Sequence, residues 1–201
     1  MNREYDYDYE WDSRYCYTNS NVLKNKLGIT DGNLLHTAER EITALRIANA
    51  KLNRIDGSYD LDHLRRIHRY IFGDIYDWAG ELRWVDISKG NVFCKYEYIG
   101  QNADKLFAQL KLECYLKKAP TSDVPQRLAY YLGEINILHP FRAGNGRTQR
   151  LFIEYLAEDA EYSVDFAEVT DREMIEASAD AFACNYEKMN ALFARITTPL
   201  Y

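Results

Sequence analysis

Apolar residues recur along most of this chain at three- and four-residue intervals, the spacing of one helical face. Leu34, Ala38, Ile42, Leu45 and Ala48 keep that spacing and predict a first long helix. A second is expected from Asp60, whose short carboxylate suits an N-cap, through Leu61, Leu64, Ile67, Ile71 and Phe72, with Gly73 ending or bending it. Ala103, Leu106, Phe107 and Leu110 mark a third. Pro125 sits where a first helical turn tolerates proline, ahead of Leu128, Tyr131, Leu132, Ile135 and Leu138, and Pro140 stops that helix. Another follows with Leu151, Phe152, Tyr155 and Leu156, and at least one more covers Met174 to Ile196.

One stretch alternates instead. Val85 and Ile87 interleave with Asp86 and Ser88, Gly90-Asn91 reads as a tight turn, and Val92-Phe93-Cys94 follows. That is the pattern of a short β-hairpin. An exposed hairpin edge presents unpaired backbone groups to which an extended peptide can add. The expected fold is all-α, a helical bundle carrying one β-hairpin. With 201 residues, no internal repeat and no Gly/Ser- or Pro-rich linker, one domain is expected. The oddity is the tyrosine-rich segment 1–17, where Tyr5, Tyr7 and Tyr9 alternate with Asp6, Asp8 and Glu10. It reads either as an arm that packs its rings on the domain or as a solvated tail. Residues 18–201 then form the domain, with its core at about 60–198.

Composition narrows the function classes. Hydrophobic residues make up 47% of the chain, enough for a core, and the net charge is −6. That balance argues against a broad nucleic-acid or membrane surface, which needs a basic patch. It leaves room for a small basic pocket. Cys16, Cys94, Cys114 and Cys184 are far apart and form no CxxC pair. Reduced thiols in a cytosol are the better reading. The first residues lack a basic region and an apolar run, so no secretory signal is expected. No apolar stretch is long enough to cross a bilayer. A cytoplasmic location follows as the expectation.

The densest chemistry lies in His139-Pro140-Phe141-Arg142-Ala143-Gly144-Asn145-Gly146-Arg147-Thr148-Gln149-Arg150. Gly144 and Gly146 let the backbone approach an anion closely, and Asn145 is placed to cap the next helix. The first amides of that helix point outward with the positive end of its dipole behind them, a ready phosphate site. Arg147 and Arg150 lie one turn apart and can fork onto phosphate oxygens. His139 has the chemistry of a proton acceptor near neutral pH. Each piece also has a plainer reading: a turn, an Arg150–Glu154 helix pair, a core histidine. Together they describe a base beside a polyphosphate site. Such sites add a divalent cation, and hard cations want carboxylate oxygen, which the motif lacks because position 143 is alanine. His63 and His68 are five apart and do not share a helical face, and no HExxH, P-loop or G-x-S-x-G pattern is present.

His-Pro-Phe-x-x-Gly-Asn-Gly-Arg-x-x-Arg resembles the signature of the Fic-domain (Fido) proteins. Ile67-His68-Arg69-Tyr70-Ile71-Phe72, Tyr76-Asp77-Trp78-Ala79-Gly80-Glu81-Leu82-Arg83 and Ile87-Ser88-Lys89-Gly90 look like that family's segments leading into its flap, and Asn21-Val22-Leu23-Lys24-Asn25-Lys26-Leu27 resembles the opening of its bacterial cell-filamentation members. The resemblance implies an all-helical fold with a β-hairpin flap. It implies protein adenylylation, in which AMP moves from ATP to a hydroxyl of a target protein. His139 would be the general base. Gly144, Asn145 and Gly146 would bind the α- and β-phosphates, Arg147 and Arg150 the β- and γ-phosphates, and Phe141 would anchor the loop. Lys89 and Gly90 would belong to the flap that registers the target segment, a topoisomerase in some members. Trp78 and His68 read as core and helix-packing residues. The relative called Doc transfers phosphate and carries lysine at the place of Gly146, so Gly146 favours adenylyl transfer. The family usually has an acid at the place of Ala143, where it holds Mg²⁺. A degenerate protein that binds nucleotide with little transfer is the alternative that Ala143 raises.

Many members carry an inhibitory helix, (Ser/Thr)-x-x-x-Glu-(Gly/Asn). Here Thr37-Ala38-Glu39-Arg40-Glu41 matches the first part, but Ile42 follows, and Glu41 reads as an exposed helix carboxylate. A separate small antitoxin supplying the glutamate to Arg150 is therefore expected, which would make this chain the toxin of a toxin-antitoxin pair.

Overall fold

A computed structural model of the chain describes residues 8–9, 12–89 and 91–201. The proposed arm of residues 1–17 is thus only partly among them, and Gly90 lies outside them. The described residues form seven α-helices: α1 (Gly32–Leu52), α2 (Leu61–Phe72), α3 (Ile99–Leu112), α4 (Val124–Leu138), α5 (Asn145–Asp159), α6 (Asp171–Phe182) and α7 (Glu187–Ile196). Every expected helix is present. Asp60 caps α2 by accepting the His63 amide at 2.8 Å, and Pro125 occupies the first turn of α4. The expected stretch Met174–Ile196 is two helices, because the chain turns between α6 and α7 through Cys184 in the left-handed region at φ 61. Thr170 and Glu173 close a capping box at the start of α6.

Helix α4 is the axis of the bundle and packs against α7, α5, α6 and α3, while α2 lies across α5 and α1. The largest fully buried side chains are aromatic: Phe72, Tyr76, Tyr131, Phe141, Phe152, Tyr155 and Phe193. They come from α2, α4, α5 and α7 and from the loops beside them. Helix α1 sits on this core by a narrow strip of Leu35, Thr43 and Ala50. Leu34, Leu45 and Ala48, expected on its inner face, are exposed. The period was right and the buried phase is turned by about one residue, because Thr43 and Glu39 face α5 for a polar reason given below.

Two small sheets complete the fold. The hairpin is β2 (Ile87–Lys89) and β3 (Asn91–Val92), paired Ser88 to Val92 and Lys89 to Asn91. Asn91 is a strand residue rather than part of the turn. The outer edge of β2 is not open: β1 (Asp8–Tyr9) adds to it antiparallel, Tyr9 opposite Ile87. Only the β3 edge remains for an added strand. Tyr15 and Cys16 are buried, so the end of the arm belongs to the core. A second sheet, β4 (Tyr162–Val164) with β5 (Thr197–Pro199), joins the end of α5 to the end of α7. Strands of three residues are too short for alternation to betray them.

Candidate active site

Helix α4 ends because Pro140 cannot continue it. Its C-cap, His139, stands in the left-handed region at φ 43 and ψ 58, a conformation that costs a non-glycine residue about 1–3 kcal/mol unless its surroundings impose it. They do. The carbonyl of His139 accepts the Arg83 Nε–H at 2.7 Å, and its amide donates to Ile135 O at 3.1 Å. Its Nδ1 lies 3.3 Å from Asn136 O, which makes Nδ1 the protonated nitrogen of the neutral ring and Nε2 the basic one. The ring is stacked on Phe93, centroids 3.8 Å apart.

The loop that follows is pinned from below. Phe141 is fully buried and stacks on His68 at 3.9 Å. His68 Nδ1 accepts the Gly80 amide at 2.8 Å, so its Nε2 carries the proton and donates to Ala143 O at 2.9 Å. Burial holds the His68 ring neutral, with its pKa pushed down to about 3. Asn145 does not cap the helix. Its side chain turns back, Oδ1 accepting the Phe141 amide at 2.9 Å and Nδ2 donating to Phe141 O at 2.8 Å. Gly144 takes the N-cap position at φ +80, and a Cβ there would lie 2.3 Å from the Phe72 ring. Only glycine fits. Gly146 is under no such constraint, since an added Cβ would meet only Arg150 Nη1 at 3.5 Å.

The first rung of α5 runs from Thr148 N–H to Gly144 O at 3.2 Å. The amides of Asn145, Gly146 and Arg147 therefore stand ahead of the ladder, at the positive end of a helix of 15 residues. The two arginines part company. Arg147 turns to α1, where Nη2 pairs with Glu39, Nη1 donates to Thr43 Oγ1 at 2.8 Å and the guanidinium lies 4.7 Å from the Phe72 ring centre. Tyr76 donates its hydroxyl to the same Glu39, and burial followed by that carboxylate raises the Tyr76 pKa. Arg150 is half-buried between two cavities. Desolvation and the neighbouring Arg147 charge lower its pKa. Glu154, the helix partner of Arg150 under the plainer reading, pairs instead with Lys51 at 2.8 Å. Among the described residues, no hydrogen bond or ion pair to Arg150 is found. A guanidinium so placed favours an anion.

One cavity, about 310 Å³, runs from His139, Gly146 and Arg150 to Met174, Ile175 and Phe182. The other, about 630 Å³, lies between α1 and α5, with Arg147 and Arg150 among its lining residues. The structure thus gathers His139, Gly146 and Arg150 around one space and sends Arg147 to its neighbour. Lys89 is placed by its backbone in β2, and Gly90 lies outside the described residues. Ala143 offers no oxygen but its carbonyl, which His68 occupies. No group of three or more metal-ligating side chains is found among the described residues. This donor set does not fit a protein-held Mg²⁺, and a divalent ion here would depend on the nucleotide's phosphates and water. Glu39, Thr43, Arg83 and Phe93 are site residues that the sequence reading did not single out, although Arg83 lies in a family-like segment, Glu39 in the partial inhibitory motif and Phe93 in the hairpin. Only their distance from the motif in sequence hides them.

The sequence model of the Fic/DOC family matches residues 58–157. The chain is 40% identical over 185 residues to the protein adenylyltransferase VbhT of Bartonella schoenbuchensis, a match that spans 92% of this chain and 39% of that one. It is 36% identical to the "Probable protein adenylyltransferase Fic" of Escherichia coli, spanning 92% of both. Among solved structures, the N-terminal Fic domain of a Bartonella quintana Bep effector with bound ADP superposes with a TM-score of 0.87 at 33% identity, covering 92% of this chain and 94% of that one. BepC of Bartonella tribocorum with bound AMPPNP gives 0.86 at 28% identity, covering 92% and 96%. With a relative named as a Fic protein matched at 36% identity over 92% of both chains, and the family's model over residues 58–157, this chain belongs to the Fic/DOC family.

Proposed function

We propose that the chain is a protein adenylyltransferase, moving AMP from ATP to a hydroxyl of a target protein. The observation that carries this reading is Arg150, a half-buried cation with no anion of its own, beside the open amides of α5 and facing His139. Bound AMPPNP and ADP in two relatives of this fold support a nucleotide as the occupant. The base enters the apolar side of the smaller cavity, against Met174, Ile175 and Phe182, and the phosphates reach back to α5. His139 Nε2 takes the proton of the target hydroxyl as its oxygen attacks the α-phosphorus. The bond to the bridging oxygen breaks, and pyrophosphate leaves. The amides of Asn145, Gly146 and Arg147 face the charge that gathers on the phosphate oxygens, and Arg150 holds the phosphate tail. Arg147, fastened by Glu39, is a fixed positive charge behind it. No step is assigned to a metal. The test is ATP labelled at the α-phosphate, supplied with bacterial lysate. Protein bands should label, label at the γ-phosphate should not transfer, and His139→Ala should lower labelling by a factor on the order of a hundred or more.

Ala143 favours a second reading, nucleotide binding with little transfer. Under it, calorimetry shows ATP binding, and Ala143→Asp, placing a carboxylate at the loop, raises labelling in the presence of Mg²⁺. A wild-type rate already matching that of the variant excludes it. The toxin role belongs to the same proposal. The larger cavity is bordered by α1, whose Leu34, Leu45 and Leu52 are exposed. An amphipathic antitoxin helix laid on that stripe would bring a glutamate to Arg150, which the chain's own Glu39, engaged with Arg147, does not meet. Titration with a peptide helix carrying Ser/Thr-x-x-x-Glu-Gly/Asn should suppress ATP binding, and less so in Arg150→Ala.

A further inference from the structure

We infer that Phe93 is a positioning residue for His139, and that Arg83 and Phe93 together make the hairpin a brace that sets the base. The inference rests on the reading of His139 as the proton acceptor, and it concerns what holds that imidazole in place. Phe93 follows β3 directly, and its amide donates to Ile87 O at 3.1 Å, so the side chain is carried by the hairpin rather than by α4. Its ring lies 3.8 Å from the His139 ring with only 15° between the planes, and it is buried. A face-to-face contact of this kind restricts rotation of the imidazole about its Cβ–Cγ bond. The backbone is gripped as well. The Arg83 side chain is fully buried, and Nε donates to His139 O at 2.7 Å, Nη1 to Val85 O at 2.7 Å and Nη2 to Cys94 O. Its own amide donates to Pro140 O at 2.9 Å, and the Cys94 amide donates to Ile137 O at 3.0 Å. One guanidinium therefore ties both flanks of the hairpin to the last turn of α4, where His139 stands in a left-handed conformation. A histidine in that conformation on a free helix end would relax. With its ring against Phe93 and its carbonyl on Arg83, its orientation becomes a property of the hairpin. A target strand added to the hairpin would then act on the same element that orients the base.

The test compares the full-length wild type with Phe93→Leu and Phe93→Tyr, using histidine-labelled protein and His139→Ala to assign the His139 ring signals. Phe93→Leu keeps apolar bulk and removes the flat face. It should move the His139 ring proton resonances downfield as the aromatic shielding is lost, and Phe93→Tyr should leave them near the wild-type position. In the labelling assay with ATP varied, Phe93→Leu should lower the maximal rate about ten-fold while the apparent ATP KM stays within about two-fold, the split expected when only the reacting geometry is disturbed. Phe93→Tyr should restore most of the rate. Unmoved His139 resonances in Phe93→Leu, or a wild-type labelling rate in that variant, overturn the inference. If the wild type labels no protein, adenylyl transfer is what fails, and the resonances still decide whether Phe93 holds the ring.

Discussion

Gly144 carries a strict steric demand. It is the N-cap of α5 at φ +80 with the Phe72 ring against its Cα. Gly144→Ala should cost about 2–3 kcal/mol, from a strained dihedral and an overpacked ring, read as a lower urea midpoint with an unchanged slope. Arg150 makes the opposite demand. Its desolvation is only partly offset, by the charges of Asp171 and Glu154, and no hydrogen bond or ion pair to it is found among the described residues, so Arg150→Ala should leave stability unchanged or raise it. Nucleotide affinity should fall at least about ten-fold, in line with the loss of a charged hydrogen bond. A variant that weakens ATP binding while the fold holds or strengthens is the signature of a residue kept for its ligand. If Arg150→Ala instead destabilises the protein and leaves ATP affinity intact, the guanidinium serves the core.

At the scale of elements, the loop rests on α2 as well as on its own Asn145. His68 reaches from α2 to Ala143 O and stacks under Phe141. Its folded pKa of about 3 lies below the ~6.5 of an unfolded histidine. Its contribution is thus complete above about pH 6.5 and is lost as pH falls from there toward 3. His63, also lowered by burial, adds in the same direction. Urea midpoints should therefore drop between pH 7 and pH 5, and the drop should be smaller in His68→Asn. Helix α1 contributes Glu39 and Thr43 to Arg147. Both Glu39 and Arg147 keep some exposure, so Glu39→Ala should cost about 1–2 kcal/mol. It should also free Arg147 to compete for phosphate, visible as a changed ATP affinity in calorimetry. An affinity identical to wild type would mean that the pair is only a fastening of α1.

For the molecule as a whole, a ligand held at Arg150 between the two cavities should raise global stability. A nucleotide that binds only the folded state should add about 2.7 kcal/mol at a hundred times its dissociation constant. At the same ATP concentration that gain should fall to about 1.4 kcal/mol or less in Arg150→Ala, whose affinity is at least about ten-fold lower. No helix among the described residues is long and apolar enough to cross a membrane.

The helices and the motif were legible in the sequence because their causes are local. Apolar period, the Asp60 cap, Pro125 in a first helical turn, the stop at Pro140 and the glycines around Asn145 act within a turn or two of themselves. What the sequence by itself determined is therefore a helical bundle with a short hairpin and a histidine, open amides and two arginines in one dozen residues. Only the tertiary structure decided how those pieces are used. It turned Asn145 inward, gave Arg147 to Glu39 across 108 positions and left Arg150 to the cavity. It laid Phe93 and Arg83 against His139 and closed one hairpin edge with β1. The reason is physical: an amide's exposure follows from the chain next to it, but which carboxylate meets a guanidinium depends on helices that touch only after the core has formed.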